Sequence, residues 1–151
     1  MLAETDLIVR GVLDEPATRL SDDQMEVYTE YHLRNAVTSY SALSSAVQAG
    51  LQSRLTVTVL GGTVTINGLT FTRVHGALGS LKPNTEYLLL LRRIDNSYFL
   101  AGDYYGAFQV TGSTVTNPVQ KPGFAEELNG KPVTEVEQTL LARIKAAHAV
   151  G

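Results

Sequence analysis

Along most of the chain apolar and polar residues alternate, the pattern of strands covered on one face, and at one place the alternation stops. Tyr87 to Leu91, within "LKPNTEYLLLLRR", are apolar at both parities. Such a run predicts a strand shielded on both faces, the central strand of the fold, launched by a turn at Pro83-Asn84. Residues 6–13, "DLIVRGVL", predict an earlier strand with a bulge or sharp bend at Gly11. "DEPATRLSDDQ" then breaks the pattern. From Glu26 to Tyr40, Val27, Thr29, Tyr31, Leu33 and Val37 share one parity, while Tyr28, Glu30, His32 and Arg34 share the other. That predicts one long strand with the first set inward and a bend near Asn35, which falls on the apolar parity.

"SALSSAVQAGLQS", residues 41–53, places Leu43, Ala46 and Val47 at helical spacing ahead of Gly50, so a short helix is expected there. "RLTVTVL" returns to alternation with Leu55, Val57 and Val59 inward, and Gly61-Gly62 turns the chain. In "TVTINGLTFTRV", Asn67-Gly68 between two β-branched runs predicts a hairpin with a type I′ turn. Asp95-Asn96-Ser97 turns into "YFLAG", "GAFQV" follows a glycine-flanked Tyr104-Tyr105 pair, and Gly112-Ser113 closes another hairpin into "TVT".

The last part changes period. Thr134 followed by Glu137 reads as a capping box, and Val136, Leu140, Leu141, Ile144 and Ala147 fall on one helical face. Arg143 and Lys145 complement the dipole at the C-terminal end. The sum is a single domain over residues 1–151: a β-barrel over 5–116, a surface loop over 117–133 and a docking helix over 134–149. Seven or eight strands at this spacing make a mainly β fold, a small OB-like barrel with an extra hairpin and one C-terminal α-helix.

The order of these pieces resembles a family of uncharacterised exported bacterial proteins. The stretches that carry it are "ETDLIVRGVL", "EVYTEYHLRNAV", "LTVTVLGGTVTINGLT", "LKPNTEYLLLLRR", "YFLAGDYYGAFQV" and "VTEVEQTLLARI". The resemblance implies a secreted or periplasmic barrel related in shape to OB folds and to the inhibitor domain of tissue inhibitors of metalloproteinases, with no known activity. Those inhibitors chelate metal through an N-terminal cysteine; this chain has no cysteine, so that chemistry is out of reach. The segment "SYSALSSAVQAGLQS" is also longer than the family's usual loop, so a site formed there differs.

Composition narrows the function further. Of 151 residues 44% are hydrophobic and 18% charged, which is a globular balance. A net charge of −3 with scattered Arg and Lys gives no footprint for nucleic acid, and no run reaches the length of a membrane span. Met1 stands almost directly before the first strand, so the chain is expected to be either cytoplasmic or exported with its signal peptide removed. His32, His75 and His148 lack metal-ligand spacing, Asp22-Asp23 lacks a calcium loop, and neither Gly-x-Ser-x-Gly nor a phosphate loop occurs. No catalytic residue, metal or cofactor is therefore expected.

What is left is recognition. Asp103, Tyr104 and Tyr105 lie between glycines, where an aromatic ring turns outward readily, and Tyr28 lies on the polar parity of its strand. These four are the expected ligand-binding residues of a non-enzymatic exported module for a protein, peptide or glycan. The alternative is an assembly subunit that self-associates through an exposed β-edge, the Thr-rich, nearly uncharged hairpin "TVTINGLTFT".

Overall fold

The computed structural model describes residues 4–44, 55–73, 81–95, 97–101, 107–116 and 128–150. Within them the strands are β1 (Leu7–Leu13), β2 (Ala17–Leu20), β3 (Val27–Ser41), β4 (Leu55–Leu60), β5 (Gly62–Ile66), β6 (Leu69–Arg73), β7 (Glu86–Ile94), β8 (Ser97–Leu100), β9 (Ala107–Thr111) and β10 (Thr114–Thr116). The helix α1 (Val133–Val150) follows. Strands β1, β3, β4, β8 and β7 close on one another in that order, and β7 returns to β1 from Leu7↔Leu91 to Val12↔Glu86. The closing seam is a short parallel contact between β4 and β8, Val57 opposite Tyr98 and Thr58 opposite Phe99. The fold is thus a mainly β, five-stranded OB-like barrel, carrying additional strands, a separate β5–β6 hairpin and the C-terminal helix.

The leucine run takes its meaning from two separate cores. Tyr87, Leu89 and Leu91 point into the barrel with Leu7, Val9, Leu33 and Val57. Leu88 and Leu90 point the other way, into a second layer with Ile8, Phe108, Val136, Leu140 and Ile144. All five residues from Tyr87 to Leu91 are fully buried, so β7 is the wall that the two cores share. Each fully buried leucine contributes about 1.5–3 kcal/mol of transfer free energy, which is why a strand so placed has no polar parity. Inside the barrel, Tyr87 Oη accepts the Lys82 N–H at 2.9 Å. Burial pushes the Tyr87 phenol up, and burial together with nearby Tyr87 does the same to Tyr31.

The long strand β3 bends by bulging. Between Arg10↔Val37 and Val12↔Arg34 the register advances two residues on β1 and three on β3, and Asn35 takes φ 55°. A second shift lies between Ile8↔Tyr40 and Val9↔Thr38. The extra residue reverses the parity beyond it, so Val37, expected inward, is 56% exposed. Gly11 sits at the first bulge, where a β-carbon would stand 2.7 Å from both the Arg34 carbonyl oxygen and Leu33 Cγ.

Other expectations meet the structure unevenly. The turns at Asn67-Gly68, Asn84, Asp95 and Gly112 all carry positive φ, as their residue types predict. "ATRL", inside the stretch that breaks the pattern, is the strand β2 and pairs with β3 from Ala17↔Glu30 to Leu20↔Val27. Of the helix expected over 41–53, Ser41 ends β3 and residues 45–54 lie outside the described residues. Helix α1 packs through Val136, Leu140 and Ile144 as predicted, but its capping box is replaced by tertiary contacts. It starts at Val133, whose N–H donates to the Ser113 carbonyl at 2.7 Å, and Thr134 falls within the first turn. The Glu137 carboxylate accepts from the Ser39 hydroxyl and lies 3.6 Å from Arg10 Nη1, tying the helix to the β1–β3 bulge.

Candidate interaction site

Two surfaces carry the side chains singled out from the sequence or from their exposure. On the outer face of β3, the residues opposite the core parity form a continuous polar row. Tyr28 is half-buried beside Arg19 of β2, whose guanidinium carbon lies 4.4 Å from the ring centroid while its Nε pairs with Glu30. One strand position on, His32 Nδ1 and Thr56 Oγ1 are 2.9 Å apart. Arg34 then pairs with Asp14 and donates to Asn84 Oδ1 at 3.3 Å, and Asn84 Nδ2 donates to Glu15 at 3.2 Å. Tyr28, Glu30 and His32 are met by the neighbouring strands β2 and β4, and Arg34 by the segments after β1 and before β7, so the row fastens β3 to its surroundings. The Arg19 contact alone is worth about 0.5–1 kcal/mol at such exposure. Arg19 escaped the sequence reading because a four-residue strand is too short to show a period.

The second surface is the β5–β6 hairpin. Asn67 (φ 52°) and Gly68 (φ 81°) form its turn, and the register runs from Gly62↔Arg73 to Ile66↔Leu69. In a two-residue hairpin the pair flanking the turn exchanges both main-chain hydrogen bonds, and bonded and non-bonded pairs then alternate. Ile66↔Leu69 and Val64↔Phe71 are therefore bonded pairs, with their side chains on one face. Thr63↔Thr72 and Thr65↔Thr70 are non-bonded pairs on the other face, where side chains approach most closely. Their hydroxyls meet accordingly, at 3.1 and 3.0 Å. The main-chain groups of those four threonines point outward, to the two edges of the hairpin.

The apolar face is only partly covered: Val64 and Phe71 are half-buried, Ile66 is 41% exposed and Leu69 65%. The base of β5 lies against the barrel, where a β-carbon on Gly62 would meet Thr29 Oγ1 at 2.5 Å and Thr18 Cγ2 at 3.4 Å. The opposite edge, β6, pairs with no strand but β5 among the described residues. From Leu55 to Thr72 there is no charged residue.

Of the expected ligand-binding residues, Tyr28 is placed as above, and Asp103, Tyr104 and Tyr105 lie outside the described residues. The described neighbours of that segment are anchored to adjacent leucines: the Ala101 N–H donates to the Leu90 carbonyl at 2.8 Å and Ala107 pairs with Leu89. His75 and the side chain of His148 also lie outside the described residues. Among the described residues no group of three or more His, Asp or Glu side chains could hold a metal ion, and no helix is long and apolar enough to cross a membrane. Asp23, in the β2–β3 turn, has its carboxyl held below the usual range by the Ser21 hydroxyl and the Met25 N–H. The chain matches no family model, no curated protein and no solved structure. The likeness to the exported family accordingly rests on the quoted motifs.

Proposed function

We propose that the chain is a non-enzymatic, exported interaction module in which the barrel is the scaffold and the β5–β6 hairpin takes up an extended, uncharged polypeptide segment as an added strand. The observation that carries this reading is the β6 edge, uncharged from turn to Thr72, free of the lysines and prolines that blunt exposed edges, and paired with no strand but β5 among the described residues. Main-chain hydrogen bonds to such an edge give affinity, and the alternating apolar and threonine faces select the side chains of the added strand. The export in this reading is supported by the likeness of the quoted motifs alone.

A second reading places a peptide or glycan on the β3–β4 face, the face OB-like barrels commonly use, where Tyr28 is half exposed. There the Arg19 guanidinium over the ring and its pair with Glu30 have to be displaced first, which favours the hairpin.

The test is amide hydrogen exchange in the presence of a synthetic peptide of alternating valine and threonine. The amides of Thr70 and Thr72 become protected on saturation, while a peptide with lysine at the threonine positions leaves them unchanged. Unaltered exchange at both amides with the valine–threonine peptide overturns the reading.

A further inference from the structure

We infer that the strand this edge takes up is the β6 of a second copy, giving a two-fold symmetric four-stranded sheet in the order β5-β6-β6-β5 centred on Phe71. The inference rests on the interaction reading above and names its partner. Parity fixes the register. On β6 the outward-pointing main-chain groups belong to Thr70 and Thr72, the members of the non-bonded pairs with β5. An antiparallel self-pairing about Phe71 places Thr70 opposite Thr72 of the second copy, and Thr72 opposite Thr70. All four outward-pointing residues then exchange hydrogen bonds, and Phe71 meets Phe71 of the second copy in the close, non-bonded position. Centring on Thr70 instead sets Thr72 against Gly68, in the turn, and loses one of the two bonded pairs.

The side chains agree with the same register. A two-fold axis normal to the sheet keeps threonines on one face and Val64, Ile66, Leu69 and Phe71 on the other in both copies, so each face continues across the junction. Cross-strand aromatic and Thr–Thr pairs of this kind contribute roughly 0.2–1 kcal/mol each. Arg73 is the one charged residue of β6, and centring on Phe71 sets its position opposite Leu69 of the second copy, so no like charges oppose one another. A second copy is thus the occupant whose alternation matches the edge, with no charge of one copy facing a charge of the other. The contact is small, a few residues a side against roughly 20–30 in a standard interface, so the dimer is weak and depends on concentration.

The experiment is sedimentation equilibrium from about 10 μM to about 1 mM, a range that brackets a weak self-association. The wild-type mass rises toward that of a dimer across it. A chain with Thr70→Lys and Thr72→Lys sets lysine against lysine, as a chain with Thr70→Glu and Thr72→Glu sets glutamate against glutamate. Each alone associates at least about tenfold more weakly, and an equimolar mixture recovers wild-type association or better, because position 70 of one chain faces 72 of the other. Unchanged circular dichroism and melting of both variants show that the exposed substitutions leave the fold intact. A wild-type chain monomeric at the highest concentration overturns the inference, as does a single-sign variant that associates like wild type, or a mixture that stays monomeric. If self-pairing fails while the valine–threonine peptide still protects Thr70 and Thr72, the edge reading stands and the second copy is the wrong strand. If protection is absent too, both fall.

Discussion

If β7 divides two independent cores, truncating its leucines gives costs that are equal in size but separable by partner. Leu89 lies in the barrel core and Leu90 in the layer beneath α1, and both are fully buried. Leu89→Ala and Leu90→Ala each remove a side chain with no room to relax into solvent, and each costs about 2–5 kcal/mol. At this chain length that lowers the melting temperature by roughly 4–20 °C. Ile144→Val, on the helix and in the same layer as Leu90, costs about 0.5–1.5 kcal/mol alone. The decisive quantity is the coupling in two double-mutant cycles measured by urea denaturation. Leu89→Ala with Ile144→Val adds to within about 0.5 kcal/mol, since the two cavities open on opposite faces of β7. Leu90→Ala with Ile144→Val departs from additivity by about 0.5 kcal/mol or more, because both deletions open the same layer. Equal couplings in the two cycles, or a cost below about 1 kcal/mol for either leucine, refutes the division of the run between two cores.

Two further outcomes follow from the buried geometry. Gly11→Ala puts a methyl group 2.7 Å from the Arg34 carbonyl oxygen, and the overpacking costs about 1–3 kcal/mol in chemical denaturation; a neutral result means the bulge has slack. Tyr31 and Tyr87 stay protonated in the folded chain above the pH near 10.0 at which they ionise when unfolded, so the unfolded state holds fewer protons and stability falls as pH rises past that point. Each contributes a slope of about 1.4 kcal/mol per pH unit until its own folded pKa is reached, and Tyr31→Phe removes its share from a stability profile taken between about pH 9 and pH 11.5. An identical slope in the variant shows that the Tyr31 phenol ionises without unfolding.

The architecture was legible wherever a local rule and the tertiary environment agreed. The leucine run, the Asn67-Gly68 turn and the apolar stripe of α1 each state their surroundings in a few adjacent residues, and the structure places them accordingly. It was not legible where a single inserted residue changes everything after it. The alternation along β3 is read correctly as far as Leu33, and then the extra residue near Asn35 carries Val37 to the surface. A glutamate three residues after a threonine is a sound helix-start signal, yet Glu137 serves Ser39 and Arg10, which lie 98 and 127 positions away in sequence and announce nothing locally. For the site, the pairing of Tyr28 with Arg19 depends on a strand too short to declare itself, whereas the two-faced hairpin can be read off "TVTINGLTFT" by eye.

The treatment of strand edges gives the hairpin its weight. Closing β1, β3, β4, β8 and β7 on themselves removes the edges of the main sheet, and the strands outside that circuit are each dealt with in turn. Strand β2 is only Ala17–Leu20 and carries Arg19. Strand β10 is covered by the chain ahead of α1: Thr114 bridges to Pro132, the Val115 N–H donates to the Lys131 carbonyl at 3.0 Å, and the Gly130 N–H returns to Val115 at 2.7 Å. Against that background β6 has no charge before Arg73 and no covering strand among the described residues, and Leu69 is left 65% exposed beside it. A two-stranded ribbon is at best marginally stable by itself, so its exposed tip adds little to the barrel and folding stability alone does not account for an apolar face there. The strand proposed to add there would supply main-chain partners at the edge positions Thr70 and Thr72.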